Sequence, residues 1–181
     1  GHRPTRETAN AVNLINGVTK NLLSDEWYTD QETVDLCWLL LGVEHGDVIC
    51  CPFDSEESLF VKKAKLLGHE VIYGISNFLD SENYKFDKLI TNPPFSIKDL
   101  VIQKVYEYNK PGLLILPMDS LGGVKRHSLY REYSPPAVFM PTRRVSYYDE
   151  NWNKRGSANF HSIILRFNMP WIKPLTWEFE K

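Results

Sequence analysis

The sequence is poor in cysteine, has no long apolar run and carries little net charge. Its 3 cysteines, two of them adjacent, offer neither a disulfide framework nor the spacing of a metal site. We therefore expect no metal and a reducing, cytoplasmic setting. No apolar stretch is long enough to cross a bilayer, so no membrane partner is expected. A net charge of -2 does not by itself indicate a nucleic-acid partner.

Two catalytic signatures are also missing. No G-x-G-x-x-G sequence follows a strand-like segment, which argues against a dinucleotide cofactor. No Ser/His/Asp or Cys/His set stands out, which argues against a nucleophilic hydrolase. What remains is an ordinary globular composition, 43% hydrophobic and 24% charged over 181 residues. We expect a single domain over residues 25–181 and an N-terminal extension, 1–24, that is flexible or partly derived from a tag.

Charge is distributed unevenly along the chain. Residues 25–60 contain ten acidic side chains and no Lys or Arg, whereas residues 121–160 contain seven basic and three acidic side chains. Four of the basic residues are candidate phosphate contacts: Arg143, Arg144, Lys154 and Arg155. Tyr147, Tyr148 and Trp152 lie among them, as a surface for stacking bases would require. A solvated hairpin with ordinary strand aromatics is the alternative explanation.

Short apolar strands alternate with amphipathic helices. Helical periodicity is found over residues 29–41, 54–67, 96–108 and 121–133. Strand-like runs cover residues 47–51, 70–75, 88–91, 112–117, 138–148 and 157–167. This alternation predicts an α/β fold with a mostly parallel sheet and helices on both faces. The last two strands have no helix between them, which predicts an antiparallel C-terminal hairpin.

The first polar strand end is Cys51-Pro52-Phe53-Asp54, and ligands of such folds bind beyond the carboxyl ends of the strands. Asp54, Glu56 and Glu57 would repel a phosphate at this turn. They would suit a cofactor with an ammonium group, a sulfonium and no phosphate, as in S-adenosylmethionine. Acidic residues in a first helical turn also complement the helix dipole, and that alternative stays open.

The most specific signal is Asn92-Pro93-Pro94-Phe95, directly after the strand at residues 88–91. Two prolines end the strand in a rigid turn. The Asn92 side-chain carbonyl and the Pro93 backbone carbonyl could accept both hydrogens of one amino group. Phe95 would offer a flat face to its ring. Held in this way, a planar amine becomes more pyramidal and its lone pair can attack an electrophilic methyl.

This tetrapeptide resembles the catalytic motif of the amino-methyltransferases, and its setting resembles the phage-type DNA N6-adenine methyltransferases. The stretches Asp25–Thr29 and Cys51–Glu56 match the same layout, and the similarity covers roughly residues 25 to 120. The resemblance implies a Rossmann-like class I methyltransferase fold, S-adenosylmethionine as the cofactor, and DNA as the favoured substrate. A target base would then have to be flipped out of the duplex and stacked on Phe95.

The resemblance also assigns roles to individual residues. It places the methionine part of the cofactor on Tyr28 and Thr29, its binding turn at Pro52, Phe53 and Asp54, its adenine beside Asn77 and Phe78, and the target amine on Asn92, Pro93, Pro94 and Phe95. Two features depart from the family: the first turn lacks glycine, and Asn77 stands where an Asp is usual.

Other functions remain open from the sequence alone. The same tetrapeptide serves enzymes that methylate an RNA base or a glutamine amide in a protein. The glycine-poor turn and Asn77 would also fit a catalytically inactive binding module that has kept the fold.

Overall fold

The computed structural model describes residues 28–81, 83–154 and 161–170, together with the backbone of residues 177–179. The expected N-terminal extension and the candidate contact Arg155 lie outside the described residues. Nine strands are described: β1 Tyr28–Thr29, β2 Ile49–Cys51, β3 Val71–Tyr73, β4 Lys88–Thr91, β5 Gly112–Pro117, β6 Ala137–Met140, β7 Tyr147–Tyr148, β8 Ser162–Phe167 and β9 Trp177–Phe179. The α-helices are α1 Gln31–Leu41, α2 Leu59–Leu66, α3 Lys98–Tyr108 and α4 Val124–Glu132.

Seven of these strands form one sheet in the order β3-β2-β4-β5-β8-β6-β9. β3, β2, β4 and β5 are mutually parallel, and β8 runs antiparallel to both of its neighbours, β5 and β6. The predicted α/β fold is therefore confirmed, including the antiparallel strand near the C-terminus. The chain moves outward from β2 to β3 and then returns to place β4 on the other side of β2. This reversal creates a topological switch point between β2 and β4.

Helices cover both faces of the sheet, because side chains along each strand point alternately to opposite sides. On one face, α1 and α2 pack against side chains that include Ile49, Cys51 and Ile90. On the other face, α3 and Tyr130 of α4 pack against a second set that includes Cys50 and Leu89. Each strand of this region is thus buried on both sides, which explains its continuous apolar sequence.

Two helices begin later than the sequence suggests. Asp30 caps α1 by accepting a hydrogen bond from the Thr33 amide at 2.8 Å, whereas Thr29 belongs to β1. The prediction that Asp54 starts the second helix is wrong. α2 begins at Leu59 and is capped by Ser58, whose hydroxyl accepts from the Phe60 amide at 3.2 Å. Asp54 therefore lies in a loop between β2 and α2, where its carboxylate contacts a residue of a neighbouring strand, Thr91.

The predicted strand over residues 138–148 is two separate strands. β6 stays in the main sheet next to β8, whereas β7 leaves it and pairs antiparallel with β1. This pairing brings the segment after β7 next to Tyr28, on which Trp152 packs. Within the described ranges, none of the helices combines the length and the apolar character needed to cross a membrane.

Candidate functional site

The turns that follow β2 and β4 are joined at the switch point. Thr91, the last residue of β4, is fully buried, and its hydroxyl donates a hydrogen bond of 2.6 Å to Asp54 Oδ2. The Phe53 amide donates to the same hydroxyl oxygen at 3.4 Å. The two polar strand ends singled out in the sequence are therefore adjacent and bonded to each other.

The Asn92 side chain carries an unused acceptor. Its Oδ1 atom is buried and, among the described residues, has no hydrogen-bond partner. A buried polar atom without a partner costs about 1–3 kcal/mol, so the folded chain carries a penalty here that a ligand could remove. Behind it, Pro93 is buried and a short 3-10 turn, Phe95–Ile97, leads into α3. The buried Ile97 side chain anchors that turn in the core.

The turn after β2 is fixed on both of its sides. The Pro52 carbonyl accepts from the Ile75 amide at 2.9 Å, which ties this turn to the end of β3. Besides Thr91, the Asp54 carboxylate accepts from the Ser58 hydroxyl at 2.8 Å. Its negative charge thus lies in a hydrogen-bonded loop, beside the residue that caps α2 rather than within the first turn of that helix.

β1 brings Tyr28 to the same turn. Tyr28 is buried, and its hydroxyl lies 3.3 Å from the Ser55 Oγ atom. Thr29 Oγ1 is a second buried polar atom without a hydrogen-bond partner in the described part of the chain. The Trp152 ring stacks on Tyr28 with a centroid distance of 5.1 Å. Sequence reasoning considered Trp152 only for stacking on bases, because its contact with Tyr28 depends on the pairing of β1 with β7.

Asn77 and Phe78 differ in their exposure. Phe78 is buried, with its ring edge-to-face against Phe53 at 5.7 Å and stacked on Tyr108 at 5.6 Å. Asn77 is exposed, and its side-chain carbonyl accepts a hydrogen bond from the Tyr84 hydroxyl. The oxygen that the resemblance assigns to the cofactor's adenine therefore already has one protein partner.

Three of the four predicted phosphate contacts are brought together. Arg143, Arg144 and Lys154 line a cavity of about 450 Å³, shared with Asp30 and Glu32 at the start of α1. Arg143 lies 3.7 Å from the Glu32 carboxylate, and both side chains are highly exposed. Asp30, which lines this cavity, directly follows β1 in the chain, so the cavity borders the side of the site formed by Tyr28 and Thr29.

The predicted aromatic surface is only partly exposed. Tyr147 is 4% exposed, and its hydroxyl lies 2.7 Å from Ser162 Oγ, so its ring is not available to a base. Tyr148 is half-buried beside Trp152, at a centroid distance of 5.8 Å. The cysteines of β2 are buried as well. Burial, and then the charge of Asp54, raises the pKa of the Cys50 and Cys51 thiols, which therefore stay protonated and do not serve as nucleophiles.

Comparison with known proteins identifies the fold. No family model and no curated protein matches the chain. A solved protein from Vibrio vulnificus YJ016, assigned as the modification subunit of a type I restriction enzyme, matches with a TM-score of 0.50 and 13% identity. That match covers 92% of this chain and 50% of the Vibrio protein, so this chain spans about half of its length.

Two further solved structures are similar at lower scores. A protein from Pyrococcus horikoshii assigned as an RNA methyltransferase matches with a TM-score of 0.46 and 12% identity, over 84% of this chain and 96% of that one. A dimethyladenosine transferase from Plasmodium falciparum matches with a TM-score of 0.46 and 15% identity, over 77% of this chain and 61% of that one. The chain has the Rossmann-like methyltransferase fold, as the sequence predicted.

Proposed function

We propose that the chain is an S-adenosylmethionine-dependent methyltransferase that methylates the N6 amino group of adenine in DNA. The observation that carries this proposal is the buried, unpartnered Oδ1 atom of Asn92 at the switch point of the sheet, within the part of the chain that the structure describes. An acceptor in this position can bind one hydrogen of an amine. The adjacent Pro93 backbone carbonyl is a second acceptor and could accept the other hydrogen.

The residues around the turn after β2 fit S-adenosylmethionine. Thr29 Oγ1, in β1, is a buried polar atom without a partner among the described residues, and Asp54 would supply a negative charge to a cationic cofactor. Phe53, which is half-buried, offers apolar surface for a nucleoside base, and the buried Phe78 ring packs edge-to-face against it at 5.7 Å. When bound, the cofactor would supply an electrophilic methyl group on a sulfonium. The residues that would hold it are Tyr28, Thr29, Pro52, Phe53, Asp54, Asn77 and Phe78.

The chain's own contribution to catalysis is to orient the amine. Asn92 and Pro93 would hold its two hydrogens, and Phe95 would support the ring. The nitrogen would gain the methyl carbon as the carbon–sulfur bond breaks, its electron pair staying on sulfur, and one proton of the amine would then pass to solvent. Correct orientation alone can lower such a barrier by several kcal/mol, so no strong general base is needed.

Two observations support a nucleic-acid substrate. Arg143, Arg144 and Lys154 line one cavity beside the site, where they could contact phosphates. Adenine also carries the kind of planar amine that the Asn92 turn can bind on two acceptors. Because these three basic side chains would neutralise phosphates, we expect added salt to weaken the binding of DNA.

The experiment that tests the proposal is transfer of a labelled methyl group from S-adenosylmethionine to duplex DNA, RNA and a glutamine-containing peptide, assayed side by side. The proposal predicts label in DNA, released by digestion as N6-methyladenine. Label only in RNA or only in the peptide would contradict the choice of substrate. Binding of S-adenosylmethionine without transfer to any of the three would instead support a catalytically inactive binding module.

A further inference from the structure

The bond between Thr91 and Asp54 is the direct polar link between the two turns of the candidate site. The two residues are 37 positions apart in sequence, yet the hydroxyl and the carboxylate lie 2.6 Å apart. Thr91 is fully buried and precedes Asn92 directly. The hydroxyl therefore fixes the residue before the predicted amine-binding turn to the predicted cofactor-binding turn.

The same hydroxyl makes two bonds of opposite direction. It donates to Asp54 Oδ2 and accepts from the Phe53 amide, so it contacts both a side chain and the backbone of the turn after β2. The carboxylate is held from its other side by Ser58 at 2.8 Å. β2 pairs with β4 through Ile49 and Cys50, which lie opposite Lys88 and Leu89. The pairing of the two strands therefore ends before their turns begin.

We propose that Thr91 is a positioning residue: its hydroxyl holds the turn that carries Asn92 in register with the turn after β2. This inference rests on the proposed function, because it concerns how far apart the amine and the cofactor are held. A misplacement of about 1 Å between reacting groups can lower a rate on the order of 100-fold without changing how tightly either group binds. Thr91 thus affects turnover through Asn92 and not through contact with a ligand.

The variant that tests the proposal is Thr91→Val, which keeps the shape of the side chain and removes its hydroxyl. Thr91→Ser restores the hydroxyl and serves as the rescue. Ser58→Ala is the matched control. It removes the other hydroxyl that donates to the Asp54 carboxylate, on the side away from Asn92. Each variant is studied as the full chain.

The first readout is amide hydrogen exchange by NMR without any ligand. The Ile97 amide donates to the Pro94 carbonyl at 3.2 Å and reports on the Asn92 turn, whereas the Asp54 amide donates to the Cys51 carbonyl at 3.1 Å and reports on the other turn. Thr91→Val should accelerate exchange at both amides by about tenfold, and Thr91→Ser should restore both. Ser58→Ala should leave Ile97 unchanged. An unchanged Ile97 amide in Thr91→Val would overturn the proposal.

The second readout is turnover. Thr91→Val should lower kcat by at least about tenfold, with the KM for S-adenosylmethionine within about threefold of the wild-type value. A loss confined to KM would overturn the positioning role, because it would make Thr91 part of the cofactor site. If the wild-type chain transfers no methyl group, the proposed function fails, and the exchange measurement still decides whether Thr91 couples the two turns.

Discussion

Replacement of Asn92 by Ala should stabilise the folded chain while it sharply lowers the rate of methyl transfer. In the free protein the Asn92 Oδ1 atom is buried and lacks a hydrogen-bond partner among the described residues. Such an atom costs about 1–3 kcal/mol, and the alanine variant would no longer carry that cost. Loss of some packing offsets part of the gain. We expect a net gain of about 1 kcal/mol, which for a chain of this size raises Tm by roughly 2–4 °C.

The effect on catalysis should have the opposite sign. Loss of one preorganised polar contact in an active site typically lowers kcat by about 10²–10³-fold. Binding of S-adenosylhomocysteine should change little, because the role proposed for Asn92 is on the amine. Thermal unfolding followed by calorimetry, together with single-turnover methyl transfer, measures both effects on one preparation of the variant.

Asn168→Gly provides the contrasting control. The side-chain nitrogen of Asn168, Nδ2, donates to the Val105 and Lys110 carbonyls, both at 2.9 Å. The backbone of Asn168 is left-handed, with φ 59°, a conformation that glycine adopts readily. Loss of these two satisfied bonds should destabilise the chain by roughly 1–2 kcal/mol. If Asn92→Ala destabilises the chain as much as Asn168→Gly, the reasoning about an unused acceptor is wrong.

Three further predictions concern stability and binding. Burial would raise the pKa of Asp47, but hydrogen bonds from Lys88 and the Glu44 amide outweigh it and lower that pKa. Asp47→Asn should therefore cost about 1.5–3 kcal/mol near pH 7, and urea unfolding should show this difference shrinking as the pH falls from about 4 through the lowered pKa of the folded-state carboxylate. Joint replacement of Arg143 and Arg144 by Ala should reduce the slope of log K for DNA binding against log salt concentration by about 2, with little change in the free energy of unfolding. An unchanged slope would show that neither arginine contacts a phosphate. Trp152→Ala should weaken S-adenosylhomocysteine binding in a calorimetric titration, because it removes the ring that stacks on Tyr28, a predicted cofactor contact, at a centroid distance of 5.1 Å. An unchanged affinity would show that Trp152 does not support the cofactor site.

The parallel strands were predictable because they are buried on both faces. β4 and β5 have the bounds that the sequence indicates, Lys88–Thr91 and Gly112–Pro117, since continuous apolar runs leave little choice of boundary. The sequence places both polar turns at the carboxyl ends of strands. The structure adds that the two ends are neighbours, joined by the bond between Asp54 and Thr91.

The start of α2 was not predictable from local sequence. Asp54 and Glu57 have the spacing of a capping box, and Ser58 offers a competing cap four residues after Asp54. The competition is decided by Thr91, which binds the Asp54 carboxylate from a distant part of the chain. Sequence patterns that act within a few residues contain no information about such a bond.

The contact between Trp152 and Tyr28 could not be predicted from the sequence either. Asp30 Oδ2 accepts from the Ser146 amide at 2.7 Å, across a separation of 116 residues, and so joins the start of α1 to the segment before β7. That contact, with the pairing of β1 and β7, is what brings Trp152 over Tyr28. The left-handed backbone of Trp152, with φ 58°, is uncommon for a bulky residue and has no signature in the sequence.

The central claim is that the Asn92 turn directs a methyl group to adenine N6, and nucleoside mass spectrometry tests it most directly. Duplex DNA is incubated with S-adenosylmethionine and either the wild-type chain or Asn92→Ala, and then digested to nucleosides. Our account predicts N6-methyladenine in the wild-type reaction and none above background in the variant. Equal methylation by both chains, or a methyl group found on another base, would contradict it.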